Sequence, residues 1–420
     1  MIAIVGGGLA GLTCAKILAR AGLEFALFEA SPCFGGQVAS RRVSGFVIDR
    51  GFQVLLDSYG ALRAHADIKA LQPRYFDSGA VLWDRGRFWK MRNPLRHPAR
   101  AWGAIGADPF SAADKRRLVA LVTTAAARSD EGLLAGCARE DDISLLEFLR
   151  SAGVTPECIE RFVRPFFVGV FLDNDLASSA ALFRFYLKKF ALGRAFVPAD
   201  GMGALPRQLA ESAGRENLHA GARVEAIETN GRRVRALRVH GRGSVPVDRV
   251  VLATDPVQTA HLLGSPRPNR PRQSVWTLVF AIDEALYGDR MIVLPAGPRR
   301  LVRHFVQMTN VAPEYSASGR AMVVATVVDP QDLPAAALVA EARREIGEVF
   351  RAARGALETI EVLELREAVF SQPPGFLSRL DLPPLPENVV LAGEQAGWSC
   401  IDSAMSSGAL AARAVMKKEA

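Results

Sequence analysis

The chain begins Met1-Ile2-Ala3-Ile4-Val5-Gly6-Gly7-Gly8-Leu9-Ala10-Gly11, a short apolar run broken by glycines. The run reads as a buried strand, the glycines as a tight turn, and Leu12–Arg20 as the helix that follows. A second apolar run, Phe25-Ala26-Leu27-Phe28, ends at Glu29, eighteen residues beyond Gly11. Strand, Gly-x-Gly-x-x-Gly turn, helix, strand and acid in this order form the dinucleotide-binding fingerprint. Gly6 permits the turn, Gly8 lets the backbone approach a pyrophosphate, and Gly11 lets the helix lie close to the strand. The helix N-terminus offers unpaired N–H groups to the phosphates, and Glu29 is spaced to accept hydrogen bonds from a ribose diol. The segment predicts a bound dinucleotide.

With 420 residues, 49% of them hydrophobic, the chain has enough apolar material for two or three domains. No apolar run reaches the roughly 20 residues of a membrane span; Leu118–Ala127 is too short. The first strand starts at residue 2, which predicts a cytoplasmic protein without a leader. Five scattered cysteines without a Cys-x-x-Cys pair predict free thiols, and six isolated histidines predict no metal site. The net charge of +8 is concentrated in Arg85, Arg87, Lys90, Arg92, Arg96 and Arg100, and in Arg299, Arg300 and Arg303. Such clusters suit a solvated surface, an anionic substrate or peripheral contact with lipid headgroups. No recognition motif for nucleic acid accompanies them, so no nucleic-acid partner is expected.

Helical spacing is expected over Lys115–Ala127, Ser144–Ala152, a helix beginning at Thr155–Phe162, and Ala180–Leu192, within a largely helical region at about residues 80–195. Strands are expected at Ala222–Thr229, Val234–Val239 and Val245–Ala253, then at Val275–Ile282, Met291–Leu294, Leu301–Met308 and Met322–Val328. Ala335–Ala353 reads as a long helix and Val389–Ala392 as a last strand. The expected class is α/β, a Rossmann-type nucleotide domain assembled from discontinuous segments with an inserted α+β substrate domain. Its boundaries fall at 1–80, 195–265 and 385–420 for the first, and at 81–194 and 266–384 for the second.

Further segments carry a family resemblance. Gly35-Gly36-Gln37 precedes Gly45-Phe46-Val47-Ile48-Asp49-Arg50-Gly51; Pro198–Met202 leads to Val224 and Val250–Thr254; Ala392-Gly393-Glu394 leads to Ile401-Asp402-Ser403-Ala404 and Ser407-Gly408. In this order they resemble the FAD-dependent amine oxidase, phytoene desaturase and protoporphyrinogen oxidase superfamily. The resemblance implies FAD as cofactor, held by Gly6, Gly8, Gly11, Glu29, Gly36, Gln37, Gly51, Phe52, Gln53, Val224, Glu394, Ile401 and Ala404. By resemblance, Val224 contacts adenine, Glu394 holds the ribityl or pyrophosphate region, and Gly51, Phe52 and Gln53 lie near the isoalloxazine. Backbone N–H groups near Ile401 and Ala404 would then face the flavin pyrimidine. Gln37 stands where the family carries an arginine, and Arg41 or Arg42 is available as a substitute cation.

Amine oxidases of this superfamily use a lysine from the middle of the chain, and none occurs here between Lys189 and Lys417. Cys400 stands where those enzymes place a cage tyrosine. Asn310–Pro313 and Gly375-Phe376 resemble the desaturase and protoporphyrinogen oxidase branches, which act on large apolar substrates. The aromatic stretch Arg161–Phe171 suits either core packing or an apolar cavity wall with Arg161 or Arg164 at a polar end. The expected activity is FAD-dependent hydride removal from a hydrophobic small molecule. Amine oxidation, redox-neutral isomerisation and a non-enzymatic flavoprotein scaffold are the alternatives, and no catalytic residue stands out.

Overall fold

A computed structural model describes residues 1–97, 109–297, 300–330, 333–380 and 382–417. Arg100 and Arg299 of the basic clusters lie outside the described residues. The first strand, Ile2–Val5, sits at the centre of a five-stranded parallel sheet in the order Leu218–His219, Phe25–Phe28, Ile2–Val5, Arg249–Leu252, Val389–Leu391. Its residues are apolar on both sides because both faces are covered. Ile2 and Ile4 face the helices Leu9–Arg20, Ala204–Ala213 and Ile401–Lys417, while Ala3 and Val5 face a three-stranded antiparallel sheet of Val224–Asn230, Arg233–Val239 and Gly243–Pro246. Strand order reverses between Ile2–Val5 and Arg249–Leu252, so the Gly6–Gly8 turn opens onto the crevice at a topological switch point.

The second large sheet has seven strands in the order Glu358–Phe370, Arg272–Ile282, Ala321–Val328, Val302–Gln307, Ile292–Pro295, Gly79–Asp84, Arg87–Arg92. One face packs on the helix Ala335–Val349; the other faces a helical layer and the nucleotide side of the molecule. Three expectations need correction. The region after residue 80 opens with the hairpin Gly79–Arg92, not with helix. Its outer strand, Arg87–Arg92, is basic because it is an edge. Glu358–Phe370, at the opposite edge, is a strand that the sequence does not announce, because acids punctuate its apolar residues. The run Val245–Ala253 divides into Gly243–Pro246 and Arg249–Leu252, which belong to different sheets.

The helical layer contains Ala112–Ala126, Asp130–Gly136, Leu145–Ser151 and Ala180–Leu192, each entered through a serine whose hydroxyl caps the first turn. Between them, Pro156–Cys158 and Arg164–Phe171 are joined by a π turn, Ile159–Val163. The Arg164 N–H donates to the Ile159 carbonyl, and Pro165 beside it has no N–H to continue the ordinary ladder. The wide turn resets the helix so that Phe162, Phe166, Gly169 and Val170 share one face toward a cavity. The aromatic helix Ala180–Leu192 buries Phe183, Phe185 and Tyr186 in this layer, and its last residue, Leu192, is exposed. Among the described residues no helix is long and apolar enough to cross a membrane.

Candidate functional site

One cavity of about 910 Å³ runs from the glycine turn into the space between the seven-stranded sheet and the helical layer. That volume lies near the top of the roughly 300–1,000 Å³ of ligand sites. Its first end is built by the fingerprint. Gly6, at φ 108°, occupies backbone space that a side chain would dispute with the Ala253 carbonyl. Gly8 lines the cavity, and a Cβ there would project into open space. Gly11 does not line the cavity. It acts beneath it, where a Cβ would overlap the Gly6 carbonyl oxygen. The Glu29 carboxylate lines the wall and is fixed by the backbone N–H groups of Gly7 and Ser31, both at 2.7 Å.

Gly36, Gln37, Phe52, Gln53, Val224, Glu394, Ile401 and Ala404 all reach the same cavity. Gly51 does not; its turn at φ 91° packs against Leu365 and delivers Phe52. Ala404 brings no free N–H, since that group donates to the Cys400 carbonyl at 2.9 Å. Asp49 of the same loop is a junction, not a wall: it accepts from Ser40 at 2.5 Å, the Met202 N–H at 2.9 Å and Tyr315 at 2.7 Å. Burial pushes its carboxyl above the usual range, against those three donors.

The substitute cation expected at Arg41 or Arg42 is elsewhere. Arg41 pairs with Glu361 and Arg42 with Asp200, each at 2.8 Å, and neither reaches the cavity. Arg50 and Arg272 do. The Arg272 side chain is only 7% exposed, lies over the Phe370 ring at 4.4 Å, and sits 3.5 Å from Glu394. Its Nε and Nη1 have no hydrogen-bond partner among the described residues. Glu394 in turn accepts from the Phe370 N–H at 3.1 Å and from the Ser399 hydroxyl. No motif announces Arg272, because its relation to Glu394 exists only after two distant segments meet.

The other end of the cavity is apolar. Phe162, Phe166, Phe167, Phe183, Phe190 and Leu187 line it, with ring centroids 4.7–6.4 Å apart in a continuous edge-to-face and tilted network. Arg161 and Arg164 do not supply its polar end. Arg161 pairs with Asp84 and Glu157, Arg164 with Glu160, on the side of the helix turned away from the cavity. No lysine lines the cavity among the described residues. Lys189, beside Phe190 of the wall, is buried and held by Asp130 at 2.5 Å and by the Ser58 carbonyl at 3.1 Å. Cys400 lines the cavity between the Tyr59 and Tyr186 hydroxyls. Burial raises the thiol above its ordinary value, so it stays protonated and is a poor nucleophile for a covalent flavin bond.

His304 also lines this wall. Burial pushes its imidazole down to about 4, against about 6.5 in an unfolded chain. A lowered folded pKa means that the unfolded chain binds the proton first as pH falls. The contribution of neutral His304 to stability is therefore full above about pH 6.5, declines at up to about 1.4 kcal/mol per pH unit, and is lost by about pH 4. Urea unfolding at pH 7 and 4.5 should show a smaller stability drop for His304→Phe than for the unmodified protein. Equal drops would show that the imidazole is solvated.

The fold and the cavity together define a class, a flavin-nucleotide protein in which the dinucleotide crevice continues into an apolar chamber. Residues 9–416 match the family model described as flavin containing amine oxidoreductase, and the chain belongs to that family. Its cofactor is FAD. The walls fit that group: open space faces Gly8, Glu29 is preset, and the Gln53 Oε1 and two Arg272 nitrogens are buried without hydrogen-bond partners among the described residues. A phytoene dehydrogenase of Streptomyces griseus is 26% identical over 292 residues, 64% of this chain and 57% of that protein. A coproporphyrinogen III oxidase of Bacillus subtilis (strain 168) is 28% identical over 195 residues, 44% of this chain and 40% of that protein. The matched regions thus span about half the length of these curated relatives. The structure of cyclohexylamine oxidase from Brevibacterium oxydans IH-35A superposes with a TM-score of 0.74 at 15% identity, covering 100% of this chain and 99% of that one. The last likeness concerns the fold alone.

Proposed function

We propose that this chain is an FAD-dependent oxidoreductase that removes hydride from an apolar small molecule, as a desaturase or a porphyrinogen-type oxidase does. The observation that carries the reading is the aromatic chamber, lined by no lysine among the described residues. Bound FAD supplies the two-electron acceptor. The chain supplies the rest: Phe162, Phe166, Phe167, Phe183 and Phe190 surround the body of the substrate and keep water out, while Phe52 and Trp398 bound the passage toward the nucleotide end. The relative named for phytoene supports an apolar substrate, and the one named for coproporphyrinogen III supports a large ring system. The five-stranded sheet and its helices would act as the nucleotide unit, and the seven-stranded sheet with the helical layer as the substrate unit. Exposed Leu95 and Leu192, joined by the Arg96 hydrogen bond to the Leu192 carbonyl, lie next to cavity-lining Pro94 and Ala191 and suit contact with a membrane surface.

Acid extraction of the purified protein followed by mass analysis should release intact FAD and leave a polypeptide of unmodified mass. An apolar ring or polyene compound carried through purification is the expected companion. FMN, NAD, a flavin that stays on the chain, or a hydrophilic amine in the extract would contradict the reading.

A further inference from the structure

His304 is 4% exposed and lines the apolar half of the cavity, yet neither Nδ1 nor Nε2 has a hydrogen-bond partner among the described residues. A histidine with a purely structural role is expected to have at least one ring nitrogen bonded, because an unpaired buried polar group is costly. The surroundings are shaped to the ring. On one side stands Gly169 of the π-turned helix, where a Cβ would come within 2.5 Å of His304 Cε1. On the other lies Phe52, its centroid 5.0 Å away and tilted by 59°. Within the sheet His304 is opposite Thr326, and Thr326 is opposite Thr277. Both threonine hydroxyls are also buried without partners among the described residues. A row of three unpaired polar side chains thus crosses the sheet and ends at the cavity beside Phe52.

A hydrocarbon in the chamber would leave the imidazole unpaired. A ring nitrogen or an oxygen at the same place would pair with it, since a neutral imidazole offers one N–H donor and one acceptor. Sites built to hydrogen-bond a ligand group discriminate strongly against analogues that lack it. We propose that His304 is the recognition point for a heteroatom in an otherwise apolar ring system, so that the substrate is a nitrogen- or oxygen-bearing ring compound and not a pure hydrocarbon. This rests on the reading that the chamber takes an apolar substrate, and names the class within it. Phe52 and Gly169 hold the ring, and Thr326 backs it.

The test uses the FAD-loaded enzyme with two probes, coproporphyrin III and β-carotene in mixed micelles. Binding is read by tryptophan fluorescence quenching and, independently, by the ¹⁵N resonances of His304. The expected result is a tenfold or greater loss of coproporphyrin III affinity in His304→Phe, partial recovery in His304→Gln, and a β-carotene affinity that rises in His304→Phe, where no polar ring is left unpaired. The His304 resonances should shift with coproporphyrin III and not with β-carotene. Should His304→Phe fail to fold, His304→Gln and the resonances of the unmodified protein decide the question. Equal coproporphyrin III affinity in the variants with unmoved resonances would overturn the role of His304, as would binding of β-carotene alone, and either would leave the apolar-substrate reading standing. Binding of neither probe would remove that reading and this inference with it.

Discussion

Gly11→Leu protein should emerge from purification colourless, with FAD content below a tenth of the unmodified level. The helix Leu9–Arg20 approaches the first strand so closely that a Cβ on Gly11 would overlap the Gly6 carbonyl oxygen. A leucine must therefore push the helix out and carry Gly8, Leu9 and Ala10 away from the cavity wall they line. The same helix packs on Ile401–Lys417, where Gly408 meets the Ala10 backbone just as closely, so the displacement disturbs both ends of the nucleotide crevice. Glu29→Lys is the milder companion. It removes the carboxylate that Gly7 and Ser31 fix and places a cation there, and should weaken FAD binding by about 100-fold, given about 1.5–3 kcal/mol for a charged hydrogen bond. Absorbance at purification and titration of apoprotein with FAD measure both effects. Normal flavin content in the two variants would mean that the fingerprint does not hold the cofactor.

Phe166→Asp should keep its FAD and lose substrate turnover by more than 100-fold. The Phe166 ring lies 5.0 Å from Phe167, 5.4 Å from Phe190 and 6.4 Å from Phe162, all on the chamber wall. A carboxylate among these rings brings water with it, because desolvating an unpaired charge is far costlier than wetting the chamber. The fold has other support in this layer, from Phe167 against Phe171 and Phe183, and Phe166 is itself only partly buried. Steady-state turnover and the flavin spectrum of the same preparation separate the possibilities. A protein that unfolds instead would show that Phe166 serves the core and not a ligand.

The nucleotide end is legible in the sequence because its geometry is local. Gly6, Gly8, Gly11 and Glu29 act within one strand-turn-helix-strand unit, and spacing alone places them. Gly36, Gln37, Phe52, Gln53, Val224, Glu394, Ile401 and Ala404 come from four distant segments, and the fold brings all of them to one cavity. The substrate end is hidden for physical reasons. Arg161 or Arg164 is one of two sequence readings of the stretch, as a polar end to a cavity, but the π turn and neighbouring carboxylates turn both outward. His304 sits in Leu301-Val302-Arg303-His304-Phe305, where nothing in the local pattern marks it; its meaning comes from cross-strand register and from one glycine on a helix more than a hundred residues earlier. Arg272 directly follows the proline- and arginine-rich stretch Pro266–Pro271 and opens an eleven-residue strand. The edge strands Arg87–Arg92 and Glu358–Phe370 escape a sequence reading because the charges that protect an edge also blur its alternation.

Anaerobic mixing of the FAD-loaded enzyme with candidate reductants, followed at the flavin absorbance, tests the central claim whatever the electron acceptor is. An apolar ring compound such as a reduced tetrapyrrole should bleach the flavin at least a hundredfold faster than putrescine or cyclohexylamine at equal concentration. The reason is that no lysine lines the cavity among the described residues and aromatic rings enclose its inner half. Rapid bleaching by either amine, with no response to the apolar compound, would contradict it.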